Sequence, residues 1–272
     1  MRTVTVFLVV CFAMTSLTMA QDGFGSIYTV TGSVDVAYQS LYMWRGFDAM
    51  GGKSAFQITG DVSVTGTGFG LTAAMHRANS SGMELNERWA FNPYYQGTFM
   101  SDTPTAVDYR LGYAYYNYPD NQTHLMDLQE IHAIVSLPNA TGVDKLVPSY
   151  SLIKLWPNST DSWMSKASGF AHILMLDYEF VLPSLMITSP EQVIRLHSEL
   201  VFNDGIDLRP DPTNARGGVD HDWSHMVFGV ATDFALPANI TITPSLNYQA
   251  TIESTVHHQD EIWATVGAMW RF

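Results

Sequence analysis

Cysteine is nearly absent. Cys11 is the single one in 272 residues, so the disulfide framework that staples small exported scaffolds cannot form within the chain. Positive charge is also scarce: 13 Lys and Arg stand against 26 Asp and Glu, a net charge of -13. Such a chain offers no basic face for nucleic acid. Charged residues of both signs make up 14%, against about a quarter in ordinary globular proteins. Much of the exterior is therefore expected to face something other than water. Past the N-terminus no apolar run reaches the ~20 residues of a transmembrane helix. Membrane insertion would then require strands, because only helices and closed barrels satisfy every backbone polar group in lipid.

The N-terminus has the form of a secretory signal. Arg2 is its only charge, Val4 to Met14 is an apolar run, and Ser16 to Ala20 ends in small residues. Cleavage is expected after Ala20, giving a signal over 1–20 and one domain over 21–272. Cys11 lies inside the signal, so the exported chain would carry no thiol.

What is present is alternation. Twelve stretches of alternating apolar and polar residues run from Thr31 to Phe272. In the last, Ile262, Ala264, Val266, Ala268, Trp270 and Phe272 share one side, and Trp263, Thr265, Gly267, Met269 and Arg271 the other. That is the period of a strand, and it ends on an aromatic pair. Thr65-Gly66-Thr67-Gly68, Asp102-Thr103-Pro104, Pro138-Asn139 and Pro237-Ala238-Asn239 mark tight turns. The alternate connections are mostly longer, including a loop from about Trp44 to Lys53 and the longest from about Asn203 to Asp222. Tight turns on one side and long loops on the other characterise transmembrane barrels, whose strands of about ten residues cross the bilayer tilted. The expected fold is all-β: a single antiparallel up-and-down transmembrane barrel of about 12 strands. A soluble sandwich or lipocalin-like barrel also alternates, but would need unusually long regular hairpins. The weakest strand is the one from about Leu146 to Leu155, because Pro148 interrupts it.

With the polar side of each strand facing the lumen, the inner charges are Asp35, Asp61, Asp108, Glu130, Asp177, Glu179, Glu199, Asp233 and Glu253, with Arg88, Arg110, Arg195 and Arg271. An acidic lining concentrates cations. The same residues equally suit cross-strand ion pairs filling the barrel; Asp108 and Arg110, or Arg195 and Glu199, lie on one face at strand spacing and suit such a network. Eight strands leave no channel and sixteen do, so twelve imply a narrow or partly plugged pore. Arg45 and Gly46 follow strand 1, as a charged pore lip or as a structural Arg beside a glycine bend. His221 and His225, on one face of an extended chain with Asp220 and Asp222 beside them, form the one metal-like cluster; the spacing is not a known signature, and no metal site is expected. No cofactor is implied. His197 and Ser198 point to opposite sides of a strand, and no nucleophile constellation assembles, so no enzyme is expected.

Tyr42-Met43-Trp44-Arg45-Gly46-Phe47 resembles the aromatic-x-x-Arg-Gly signature after strand 1 in the TorF porin family, a conserved bacterial Gcw-type domain. Ala55-Phe56-Gln57, Glu130-Ile131-His132 and the closing hairpin from Asn239 to Phe272 are similar to further segments of that family. The resemblance implies an outer-membrane barrel of a Gram-negative bacterium. The implied role is a passive channel for small polar or cationic solutes; the alternative is a lumen-filled barrel with a structural or loop-mediated binding role. Phe272 resembles the C-terminal aromatic read by the barrel-assembly machinery. Outer-membrane lipid, that machinery and small solutes are thus the expected partners.

Overall fold

The computed structural model describes residues 29–183, 191–213 and 220–272. The segment expected as a signal lies outside them. The strands are β1 (Val30–Gln39), β2 (Met43–Trp44), β3 (Phe47–Asp48), β4 (Ala55–Val64), β5 (Phe69–Ala78), β6 (Arg88–Phe99), β7 (Val107–Asn117), β8 (Leu128–Ser136), β9 (Leu146–Pro157), β10 (Gly169–Pro183), β11 (Glu191–Asp204), β12 (His221–Thr232), β13 (Phe234–Leu236), β14 (Ile240–Thr251) and β15 (Glu261–Arg271). Every wall pairing is antiparallel between sequential neighbours, and β1 closes the ring by pairing with both β4 and β15. β12 and β13 both pair with β14 and form one wall strand broken at Asp233. The wall thus has twelve strands and no free edge, which removes the liability of an open sheet.

The alternation expected from the sequence sets the two sides of this wall. Val36, Phe56, Leu111, Ile131, Leu174, Leu196, Phe228, Leu246 and Ile262 all lie outward and exposed, forming an apolar belt. A belt of this extent far exceeds the patches that water-soluble proteins expose. Aromatic rings gather toward its two edges. Phe69, Tyr95, Tyr109 and Phe99 contact one another near the short turns, and Tyr38 and Phe56 meet edge-to-face toward the loops. Such girdles mark the two bilayer interfaces.

β9 runs through Pro148 without interruption. Pro148 has no N–H to give, but its carbonyl accepts the Leu137 amide at 2.9 Å across the turn. The strand that looked weakest in sequence is thereby held like the others. At the C-terminus the ladder continues one step past β15: Phe272 and Gly32 exchange backbone hydrogen bonds at 3.0 and 3.1 Å.

Candidate functional site: a hairpin inside the lumen

The segment between β1 and β4 is more than a loop. Met43 pairs with Asp48 and Trp44 with Phe47, making a miniature hairpin. Its two turn residues, Arg45 and Gly46, have φ of 55° and 80°. Positive φ at both central positions is the geometry of a type I′ turn, which suits the second position to glycine. The hairpin points inward because its flanks are too apolar for an exposed loop. Trp44 packs edge-to-face on Tyr116 of β7, with centroids 5.0 Å apart. Phe47 joins a core that includes Leu128, Ile153, Leu155, Ile173 and Val201, which are inward residues of β8–β11. Burial of a phenylalanine side chain contributes about 1.5–3 kcal/mol. Met164 and Ala167 from the β9–β10 loop and Ile206 and Leu208 from the β11–β12 loop cap this core. The two loops are tied by a Lys166–Asp211 ion pair at 3.2 Å.

Arg45 is therefore no lip at the pore mouth. It reaches into the lumen, where its Nη2 donates to Glu130 Oε1 at 2.6 Å. The Glu130 side chain is 1% exposed. Burial alone would lower the Arg45 pKa, but the Glu130 carboxylate and the Tyr116 hydroxyl outweigh it, so the guanidinium is held charged. Glu130 also accepts from Tyr116 Oη at 3.0 Å and contacts His132 Nδ1 at 3.0 Å. On the other flank the Gly46 carbonyl accepts from Gln249 Nε2 at 3.1 Å. The Gly46 α-carbon lies against the His225 ring, so closely that an added Cβ would stand 2.3 Å from His225 Cε1. One hairpin thus spans from β8 to β12 and β14.

Arg88 is buried with its guanidinium 3.7 Å from the Trp44 ring centroid and 4.9 Å from that of Tyr116. Its Nη2 donates to Tyr42 Oη at 2.5 Å. Burial pushes the Tyr42 hydroxyl up to about 12, so it stays protonated at neutral pH. Arg88 holds the hairpin through aromatic faces, a contribution of roughly 1–2 kcal/mol when desolvated.

The other charged residues expected inside fall into local sets. Asp61 accepts from Thr72 at 2.6 Å and from Tyr94 at 3.0 Å, and Arg110 lies over the Tyr94 ring at 3.6 Å. Asp108 accepts from Thr98 at 2.6 Å. His197 sits between Asp177 at 2.6 Å and Glu199 at 2.9 Å. Arg195 pairs bidentately with Asp233 at 2.6 and 2.8 Å, although Glu179 is its register partner on β10. Asp108 is taken by Thr98 of β6, Arg110 by Thr72 of β5, Arg195 by Asp233, and Glu199 by His197 of its own strand. Asp35 is half-buried beside Gly267, and Arg271 is exposed at the turn-end rim.

Two expected positions are corrected. Glu253 is not on the wall: β14 stops at Thr251, whose amide is capped by Asp260 at 2.8 Å, and Glu253 lies in the following loop. His221 and His225 do not share a face. A register shift opposite Val201 and Phe202 turns both Ser224 and His225 inward, while His221 stays exposed on Asp204. Among the described residues no group of three or more His, Cys, Asp and Glu converges as a metal site.

Comparison with known proteins agrees on architecture. A KdgM porin, solved in complex with disordered oligogalacturonate, matches with a TM-score of 0.51 at 10% identity over 88% of this chain and 99% of that one. A NanC porin matches with a TM-score of 0.51 at 9% identity over 89% of this chain and 100% of that one. Identities this low speak to the fold alone. The twelve-strand closed wall with its outward apolar belt is a membrane-spanning β-barrel, the architecture these two porins share. No family model matches the chain, and no curated protein matches it.

Proposed function

We propose that this barrel is a passive channel for small polar or cationic solutes, with the β2–β3 hairpin as its constriction. The observation that carries this reading is the contrast beside the hairpin. A polar space of about 610 Å³, lined by Thr31, Ser63, Gln96, Thr98, Asp108, Arg110 and Ser136, opens at the turn end. Next to the hairpin a second space of about 310 Å³ remains in the loop half. Asp35, Asp61, Asp108, Asp177 and Glu199 outnumber the basic groups not bound to an acid, which favours cations along the path. The TorF resemblance at Tyr42–Phe47 supports the same reading, with the qualification that its Arg-Gly pair serves here as an internal turn. Phe272, paired beside Gly32, is then the signal for the barrel-assembly machinery.

Planar-bilayer recording tests this. Stepwise openings with a cation-directed reversal potential are expected; anion preference would reverse the charge assignment. The apolar core around Phe47 favours a second reading, a filled barrel acting through its loops, and a folded but electrically silent barrel would select it.

A further inference from the structure

On the outward wall, toward the loop end, one row of register partners crosses β7 to β11: Tyr113, Ile131, Lys154, Phe170 and Asp204. Lys154 is its cation. The ammonium lies 4.4 Å from the centroid of the Phe170 ring, and Ile131 on its other side is an exposed part of the apolar belt. Among the described residues no carboxylate pairs with Lys154. Asp204, on the far side of Phe170, is taken by His221 at 2.5 Å and lies 3.9 Å from His172. The other Arg or Lys on the outward side of the described strands, Arg77, is paired with Glu87 at 3.5 Å. A charge on a lipid-facing wall is costly in the hydrocarbon and tolerated at the headgroup edge. There it calls for a partner of opposite charge, and the protein around Lys154 supplies none.

Two further donors stand beside it. Trp156 is two residues along β9 and so shares its side of the wall. The indole N–H donates to nothing among the described residues. Asn158, just past the strand, accepts from Gln129 Nε2 at 3.0 Å with its Oδ1, which leaves its own amide N–H groups free. Three donors, one of them charged, thus follow one another at the rim of an apolar wall. The chain as a whole carries a net charge of -13, so an anion gains nothing from the overall field and is held only where such donors gather.

We propose that this face binds one phosphate-bearing lipid of the leaflet at the loop end. The phosphate accepts from Lys154 Nζ, the Trp156 indole and the Asn158 amide, and the acyl chains run along the wall over Leu152, Leu174 and Val135. The occupant is a lipid because only a lipid meets the donors and the apolar wall together. The site lies outside the lumen and is independent of conduction.

Native mass spectrometry of the delipidated full chain in detergent tests it. The probe is dioleoyl phosphatidic acid, and dioleoylglycerol supplies the same chains without phosphate. One phosphatidic acid per chain should stay bound in preference to dioleoylglycerol. Lys154→Gln should weaken its retention about ten-fold or more, as for losing a hydrogen bond to a charged group. Trp156→Phe keeps a ring and loses the N–H, and should weaken retention to a smaller degree. Arg77→Gln, at the other outward cation, should leave it unchanged. Heat-modifiable gel migration reports whether each variant is folded; if Lys154→Gln fails to fold, Trp156→Phe decides. No retention in the parent chain, equal retention of dioleoylglycerol, unchanged retention in the folded Lys154 and Trp156 variants, or an equal loss in Arg77→Gln would overturn the proposal. Displacement by inorganic phosphate would also overturn it, since the apolar wall would then contribute nothing.

Discussion

Along β9 the inward residues change from Ser149 and Ser151 toward the turn end to Ile153 and Leu155 toward the loop end. β10 repeats the change in the opposite chain direction, from Ala171 and Ile173 to Asp177 and Glu179, and β11 from Arg195, His197 and Glu199 to Val201. The turn half of the lumen is hydroxyl-rich and charged, and the loop half is packed like the core of a soluble protein. A closed antiparallel wall satisfies its own backbone whatever fills it. Lumen side chains are therefore free to differ from one end to the other, and here one end is filled by a hairpin the wall does not need.

The largest effect should come from removing that difference. Replacing residues 42–49 with a Gly-Ser linker should raise single-channel conductance several-fold, since only the constriction is lost; an unchanged conductance would mean that the hairpin does not narrow the path. Next is Glu130→Ala, which strands the Arg45 charge in the loop half. It should lower unfolding free energy by about 3–5 kcal/mol, the typical cost of breaking a buried pair, read by thermal melting in detergent. Gly46→Ala combines a φ of 80° with a collision on His225 and should cost about 1–3 kcal/mol. It should also increase current noise as the hairpin loosens. The smallest effect belongs to the turn half. Asp108→Asn, at an exposed position bonded to Thr98, should leave melting unchanged and shift the reversal potential slightly away from cations. A large melting change there would contradict the division between the halves.

The wall was legible in the sequence because its outward face follows one rule from β1 to β15: mostly apolar at every second residue, with few exceptions such as Lys154, His172 and Ser198. β15 shows it most plainly, from Ile262 to Trp270. The plug was not. A hairpin of two-residue strands is too short to carry a period, so Tyr42–Phe47 reads as a loop. A signal was nonetheless present: Met43, Trp44 and Phe47 are too apolar for a surface loop, and Arg-Gly at the centre suits a type I′ turn. The partners of the inner-face charges were not legible. Arg195 reaches Asp233 because the break between β12 and β13 brings that carboxylate over, a distortion without a sequence period. The apolar inner face of β9 was hidden because Leu152 to Trp156 is apolar on both sides, apart from Lys154, and a lipid-facing strand with a dry lumen behind it does not alternate.

The central claim is that one half of the lumen is wet and the other narrowed by the hairpin and the apolar core packed on it. Single cysteines, in a chain with Cys11→Ser, report this directly through their reaction rate with a hydrophilic thiol reagent. Thr98→Cys lies in the turn-end space, and Ala167→Cys replaces a residue 0% exposed in the core above the hairpin. The account predicts that Thr98→Cys labels orders of magnitude faster than Ala167→Cys, and that replacing residues 42–49 with the linker speeds labelling at Ala167→Cys. Comparable rates at both positions in the intact barrel would contradict it.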